Sequence, residues 1–342
     1  MLRLHTWASR HLSYAGRTQI ITSVLLGLRN YWMNIFLLPQ SIVKEVDKLC
    51  LWFLWGNNGT KSSFHLTSWS KVCLPKAFGG LGFDEGAKWN KAKLAKYVWA
   101  ISHQQETLWV KWINIVYLKD QCFWKYQLKL DSSWYWLKLC HIRDVFTQRE
   151  IDDAGSQGRF KIGMLYKSFI HQDQVKYQHF VWNRMSVPKS RFIIWQAVND
   201  NLLTRDHLHR VLMHLDCYLC PVCGQIEENH DHLFFNCDFS QQVVHQIQTW
   251  IGCNWSLRFI DWTRWIEDMR NGVKAAIMVA VFSATIYFIW QNRNTCFFNS
   301  YSLRVNAIVE MIKRDIVYRV SCFTQKKMKE NERIFVRKVC SL

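Results

Sequence analysis

The feature that most constrains this chain is a cluster of cysteines and histidines between residues 217 and 237. Cys220 and Cys223 form a Cys-x2-Cys pair; eight residues later come His232 and Cys237, with four residues between them. A structural zinc site needs four such ligands in a tetrahedron, and a Cys-x2-Cys turn places two thiolates on one side of the metal. The second pair closes the other side. The spacing therefore predicts one structural zinc ion without an open position for water.

Spacing alone leaves the ligand set open. An overlapping Cys-x2-Cys pair begins at Cys217, and His230 could replace His232. Pro221 and Gly224 suit the tight turn around a metal and therefore favour the second cysteine pair. The competing interpretation is a group of reduced core cysteines that hold no metal.

The twelve cysteines could also suggest disulfides. The N-terminus, however, lacks the apolar run and small-residue cleavage site of a signal peptide. A chain of 342 residues is also large enough to bury a core without covalent cross-links. We therefore expect reduced thiols and a nuclear or cytoplasmic protein.

The balance of charge indicates the kind of partner. Lys and Arg number 44 against 26 Asp and Glu, a formal charge of +18. Such an excess favours a polyanion, RNA or DNA, because phosphate contacts release counterions. No small-molecule substrate is expected, and a basic surface without a specific partner is the alternative. The candidate phosphate contacts lie beside the cysteine cluster and in a basic C-terminal tail: Lys189, Arg191, Lys326, Lys327 and Lys329.

Hydrophobic periodicity predicts a mainly α fold. Ile20, Val24, Leu25 and Leu28 recur at helical spacing, and a second helix is predicted from about residue 41 to the glycine-rich stop at 56–59. A glycine-rich bend at 79–82 lacks the spacing of a phosphate loop and predicts a tight turn before a helix at about 88–102. Near the C-terminus an amphipathic helix is predicted from its apolar face: Val305, Ile308, Val309, Ile312 and Ile316.

The apolar run Ala275–Trp290 has 16 residues, interrupted by Ser283 and Thr285. A bilayer core needs roughly 18 to 20 apolar residues in a helix. The flanking residues Lys274 and Arg293 show no charge asymmetry of the kind that orients a membrane span. We therefore predict a buried helix and expect no membrane.

Residues 151–158 are polar and carry two glycines, which predicts a linker between globular parts. The predicted organisation is a helical region over 1–150, a linker over 151–160, a zinc-bearing domain over 161–252 and a C-terminal helical region with a basic tail over 253–342.

Catalytic patterns do not emerge from the sequence. Asp152 and Asp153 are its only adjacent aspartates, whereas a polymerase needs such carboxylates on a strand hairpin with a third nearby. In a polar segment the pair predicts a solvated turn. Neither a Gly-x-Ser-x-Gly nor a His-Glu-x-x-His motif occurs. We expect no active site and no enzyme.

Several short motifs follow one another in an order that is specific when taken together. In the first half they are residues 7–17, Tyr31-Trp32, Pro39, residues 53–56, 69–76 and 79–82, Asn90 to Lys96, and Trp99. In the second half they are Val181-Trp182, Pro188-Lys189, Phe192, Trp195, Leu203-Thr204, residues 220–223, Glu228, residues 232–237 and residues 284–294. With these motifs the chain resembles the C-terminal part of the polymerase polyprotein of plant LINE-type (non-LTR) retrotransposons, including the reverse-transcriptase zinc-binding domain.

The resemblance implies a thumb-like helical region over 1–150 and a knuckle-like zinc domain that contacts RNA or DNA. It also implies the zinc ligand set Cys220, Cys223, His232 and Cys237 and excludes Cys217. The chain departs from the family because it begins after the polymerase palm, so the carboxylates of that active site are expected to be missing, and no ribonuclease H carboxylates are recognisable. The leading hypothesis is a non-catalytic, zinc-stabilised nucleic-acid-binding fragment. The alternative is a protein-interaction scaffold or a non-functional remnant in which zinc is purely structural.

Overall fold

The computed structural model describes residues 12–56, 66–129, 131–210, 215–253, 255, 272–322, 328 and 330–341. They belong to two compact units, one containing residues 12 and 16–174, the other residues 13–15 and 175–341. Helices dominate both units, and the single β-bridge within these ranges joins Leu219 to Glu227. The mainly α fold class is therefore confirmed.

The first unit is built around a central helix, α5. The helices that precede residue 174 are, in chain order, α1 (Tyr14–Ile20), α2 (Leu26–Met33), α3 (Gln40–Trp55), α4 (Trp69–Val72), α5 (Gly86–Ser102), α6 (Leu108–Ile113), α7 (Trp134–Val145), α8 (Gln148–Gly155) and α9 (Ile162–Lys167). Short π-type segments occur at Ile21–Leu25 and Asn114–Leu118, and 3₁₀ turns at Lys76–Phe78 and Phe123–Lys125. Helix α5 packs against α7, α8 and α9 and forms the core with them.

The first predicted helix has the right position but the wrong buried face. The π-type segment Ile21–Leu25 separates α1 from α2, and its wider turn rotates the residues that follow. The side chains buried in this region include Ile21, Leu26 and Met33, whereas Leu28 is 63% exposed. A periodicity of 3.6 residues cannot anticipate this shift, because it assumes that no turn is widened.

The glycine-rich bend before α5 is a tight turn, as predicted. Gly79 and Gly82 have φ angles of 85° and 83°, in the left-handed region that glycine adopts without strain. The amide of Gly82 donates to the carbonyl of Leu74 at 2.9 Å. The bend returns the chain to α5, which begins at Gly86 and ends at Ser102, close to the predicted bounds.

The structure contradicts the predicted linker at residues 151–160. Thr147 and Glu150 form a capping box that begins α8, and Ile151 and Ala154 are buried on one face of this helix. The two units instead separate between residues 174 and 175. Asp152 and Asp153 lie on this helix rather than in a turn. The polar residues of the segment are the solvent side of an amphipathic helix, which is why composition alone suggested a linker.

The second unit packs around the longest helix, α14. Its helices are α10 (Gln178–Val181), α11 (Pro188–Val198), α12 (Arg205–Arg210), α13 (Asp238–Ile251), α14 (Val273–Asn299), α15 (Val305–Cys322) and α16 (Glu330–Cys340), with a π-type segment at His232–Asn236. Helix α14 contacts α11, α13, α15 and α16. The predicted amphipathic helix is α15, whose buried side chains are Ile308, Val309, Ile312, Ile316 and Val320.

The predicted buried helix at 275–290 is confirmed as the central part of α14. This helix has 27 residues, and within the described ranges it alone is long and apolar enough to cross a bilayer by length and composition. However, 72% of its most apolar window is buried inside the protein. The buried residues cover every side of the helix rather than one stripe, which is typical of a core helix.

The position of Ile151 provides a test of the corrected boundary. Because its side chain is fully buried on α8, we expect Ile151→Ala to lower the free energy of unfolding by about 2–5 kcal/mol. The matched control is Arg149→Ala on the exposed face of the same helix, with an expected effect within about 0.5 kcal/mol. Urea unfolding of the full chain, followed by tryptophan fluorescence, measures both. Equal stability of the two variants would contradict the helix and favour a linker.

Candidate metal centre

The first two candidate ligands lie on a tight turn of the segment 218–237, which we call the knuckle. Cys220 and Cys223 flank this turn, and the amide of Gly224 donates to the carbonyl of Cys220 at 2.8 Å. Gly224 has a φ angle of 69°, in the left-handed region that favours glycine. The antiparallel bridge between Leu219 and Glu227 closes the loop. The sequence therefore folds into a short hairpin that presents both thiols from one end.

The other two candidate ligands lie at the ends of the π-type segment His232–Asn236. The side chain of Asn229 accepts a hydrogen bond from the amide of His232 at 2.7 Å and so begins this turn. The amide of Cys237 donates to the carbonyl of His232 at 2.7 Å. Cys237 is also the N-cap residue of α13, so its thiol lies where a helix N-terminus favours negative charge.

The four donor atoms of Cys220, Cys223, His232 and Cys237 all lie within 4.8 Å of one another. Cys223 Sγ is 3.3 Å from His232 Nε2. A tetrahedral zinc ion with ordinary Zn–S and Zn–N bonds would hold such a pair about 3.6 Å apart. Three of the four residues are buried, and Cys223 is half-buried. The cluster therefore fits one zinc ion with small adjustments of the side chains.

The protonation of these side chains also suits a metal. The hydrogen bond from Cys220 and the backbone amides of Ser240 and Phe239 lower the pKa of Cys237, which favours its thiolate. The same hydrogen bond to Cys237 and burial raise the pKa of Cys220. Burial lowers the pKa of His232, which favours the neutral imidazole. Thiolates and neutral imidazoles are the forms that bind zinc, and binding releases the remaining thiol protons.

The two alternative ligands lie outside the cluster. Cys217 is exposed and precedes the hairpin. His230 directs its Nδ1 toward Asp200, at 2.8 Å from Oδ1. The structure thus brings together the ligand set that the family resemblance implies.

The predicted phosphate contacts differ in their surroundings. Lys189 lies 3.5 Å from the carboxylate of Asp315, and its ammonium group also lies over the ring of Tyr287. Arg191 is half-buried, and its Nε donates to the carbonyl of Ser186 at 2.8 Å. The tail lysines Lys326, Lys327 and Lys329 lie outside the described residues. Lys189 therefore already has an anionic partner, whereas the surroundings of Arg191 are considered below.

A buried ion pair connects the knuckle to α14. Glu228 accepts two hydrogen bonds of 2.6 Å from the guanidinium group of Arg293, and a third of 2.8 Å from the amide of Arg205. Both charged side chains are almost fully buried. The guanidinium group lies over the rings of Trp290 and Phe297. The sequence resemblance included both charged positions, but nothing in it paired two residues 65 positions apart.

Fold and site together define a mainly helical protein with a closed Cys₃His metal centre. Residues 160–243 match the family described as zinc-binding in reverse transcriptase. This match confirms the resemblance to the zinc-binding domain of reverse transcriptases, and it identifies zinc as the metal that suits the cluster. The matched region is less than half of the chain, so the assignment applies to this domain.

Two relatives from Arabidopsis thaliana extend the similarity. A protein named as a candidate ribonuclease H protein is 39% identical over 107 residues, which cover 31% of this chain and 17% of that protein. An uncharacterized mitochondrial protein is 27% identical over 124 residues, which cover 36% of this chain and 80% of that protein. The chain thus spans less than a fifth of the first relative, and only part of it aligns with either.

The ligand set is tested by comparing two cysteine variants. We expect wild-type protein, washed with a weak chelator, to retain about one zinc ion per chain, and Cys223→Ser to lose most of it because one thiolate is missing. Cys217→Ser is the matched control, since its exposed thiol lies three residues before the cluster, and it should retain the zinc. Elemental analysis gives the zinc content. Retention by Cys223→Ser together with loss from Cys217→Ser would show that the overlapping pair binds the metal.

The buried ion pair provides a second test. We expect Arg293→Met to lower the free energy of unfolding by about 3–5 kcal/mol, because Glu228 would be left as a buried, uncompensated charge. Adding Glu228→Gln to this variant removes that charge and should restore part of the loss. Thermal unfolding of the zinc-loaded chain measures both. A double variant less stable than Arg293→Met would contradict this explanation.

Proposed function

We propose that the chain is a non-catalytic, zinc-stabilised nucleic-acid-binding fragment related to reverse transcriptases. One Zn²⁺ would be bound by Cys220, Cys223, His232 and Cys237. Four protein ligands leave no open position for water, so the metal would hold the knuckle rather than activate a substrate. The family match over 160–243 and the convergence of four donor atoms support this role.

The observation that carries the nucleic-acid proposal is a cluster of three arginines around residues 184–186. Arg319 donates to the carbonyl of Met185 at 3.2 Å and to that of Arg184 at 3.0 Å. Arg191 donates to the carbonyl of Ser186 at 2.8 Å. The backbone of this short segment therefore holds two guanidinium groups from different helices, and the side chain of Arg184 adds a third positive charge near Arg191.

The charges in this arginine cluster repel one another. Burial lowers the pKa of Arg191, and the nearby charges of Arg319 and Arg184 lower it further. Among the described residues, no carboxylate lies within ion-pair distance of Arg184 or Arg191. A phosphate group would relieve this repulsion, and guanidinium groups bind phosphate oxygens with matched geometry. The overall charge of +18 would add long-range attraction to the same partner.

A salt-dependence experiment tests this surface. We expect Arg184→Gln to weaken binding to a single-stranded RNA or DNA oligonucleotide and to reduce the slope of log K against log salt by about 0.7, the effect of one lost phosphate contact. Arg184 is exposed, so the change should leave the fold intact. Arg314→Gln, an exposed arginine on α15 with Arg319, is the matched control and should retain the wild-type slope. Fluorescence anisotropy across a salt series gives both quantities.

An equal change of slope in both variants would show that the attraction comes from total charge and not from the arginine cluster. Undetectable binding of the zinc-loaded chain at low salt would reject the nucleic-acid proposal and favour the protein-interaction scaffold. Comparison of RNA with DNA of the same sequence distinguishes the two polyanions.

A further inference from the structure

We propose that Asp200, His207 and His230 form a second metal site, which shares no residue with the Cys₃His cluster. This site would bind a divalent transition metal of the Zn²⁺ type through one carboxylate oxygen and two imidazole nitrogens. With three protein ligands it would keep at least one coordination position for water, unlike the closed cluster.

The donor atoms already converge on one point. Asp200 Oδ1 lies 2.8 Å from His230 Nδ1, and Asp200 Oδ2 lies 3.1 Å from His207 Nε2. The two imidazole rings meet edge to face, with centroids 5.1 Å apart, and the three ligand atoms fit within 4.8 Å. A tetrahedral metal with Zn–N and Zn–O bonds of ordinary length would hold each pair about 3.3 Å apart. Metal entry would therefore need one carboxylate oxygen and the two imidazole nitrogens, which already lie within 4.8 Å of one another, to adjust around the ion.

The backbone around the three residues is held by contacts outside the site. The first two amides of α12 are anchored to Glu228, because Arg205 donates to its side chain at 2.8 Å and Asp206 to its carbonyl at 3.3 Å. His207 is the next residue on this helix, and His230 follows Glu228 by two positions. The buried ion pair of Glu228 thus positions both imidazoles. Asp200 lies in the turn after α11, with a left-handed φ angle of 53° that aspartate tolerates better than most residues.

The site is open to solvent on the carboxylate side. The side chain of Asp200 is 61% exposed, whereas those of His207 and His230 are largely covered. The nearby carboxylate of Asp206 is paired with Arg210 at 2.8 Å and accepts the hydroxyl of Thr204, so it is not a fourth ligand. Two neutral imidazoles and one carboxylate leave a divalent ion with one net positive charge, which suits an ion that retains water.

Cobalt titration of untagged, full-length protein tests the proposal. The chain is first loaded with one equivalent of Zn²⁺, which the Cys₃His cluster binds more tightly, and is then titrated with Co²⁺. We expect one further equivalent to bind and to give visible d–d bands without the near-ultraviolet charge-transfer bands of thiolate ligands. Asp200→Asn, which keeps a residue that tolerates the left-handed turn, and His207→Ala should each weaken this binding by at least roughly 100-fold.

The matched control is His209→Ala, an exposed histidine two positions further along α12, which should bind cobalt as the wild type does. Circular dichroism of each zinc-loaded variant separates loss of the site from loss of the fold. The proposal is overturned if zinc-loaded wild type takes up no cobalt, if both site variants bind it with wild-type affinity, or if the spectrum of the second ion shows thiolate ligation. RNA binding and the first zinc do not depend on this site, so its failure would leave the proposed function intact.

Discussion

The buried ion pair between Glu228 and Arg293 is the interaction on which the arrangement of the second unit depends. Burial of two charges costs several kcal/mol per ion, and it is offset only if every hydrogen-bonding position is used. Here the carboxylate receives two bonds from the guanidinium group and one from the amide of Arg205. Three segments far apart in sequence therefore meet at one carboxylate: the knuckle, the start of α12 and the long helix α14.

The ion pair and the metal cluster stabilise the knuckle in complementary ways. The hairpin itself offers little apolar surface to the core, and its side chains Tyr218, Leu219 and Ile226 are exposed. The hydrophobic effect alone would hold such a loop weakly, because it scales with the apolar area buried. Four metal ligands would close the loop on itself, whereas Glu228 attaches it to the helices. The knuckle also fixes where α13 begins, since Cys237 is the N-cap residue of that helix.

The sequence predicted those features that depend on local pattern. The cysteine and histidine spacing located the cluster, the family resemblance selected the four ligands that the structure brings together, and apolar periodicity located α14 and α15. Prediction from the sequence failed where a local pattern is compatible with two structures, or where the interacting residues are far apart in the sequence. The polar segment at 151–158 reads equally as a linker or as the solvent face of α8, and only the burial of Ile151 decides between them. Nothing in the sequence pairs Glu228 with Arg293, because long-range pairing follows from packing and not from composition.

The distribution of positive charge shows the same difference between what a local sequence pattern predicts and what the packing of distant residues decides. A formal charge of +18 indicates a polyanionic partner but does not say where that partner binds. Position in the sequence favoured both Lys189 and Arg191, yet the charge of Lys189 is balanced by Asp315, and its ammonium group lies over the ring of Tyr287. Arg184 and Arg191 instead lie beside a third arginine, without an ion-paired carboxylate in the described parts of the chain. Charges without an ion-paired carboxylate are the ones that gain most from a phosphate, so Arg184 and Arg191 are better candidates than the count of basic residues could identify.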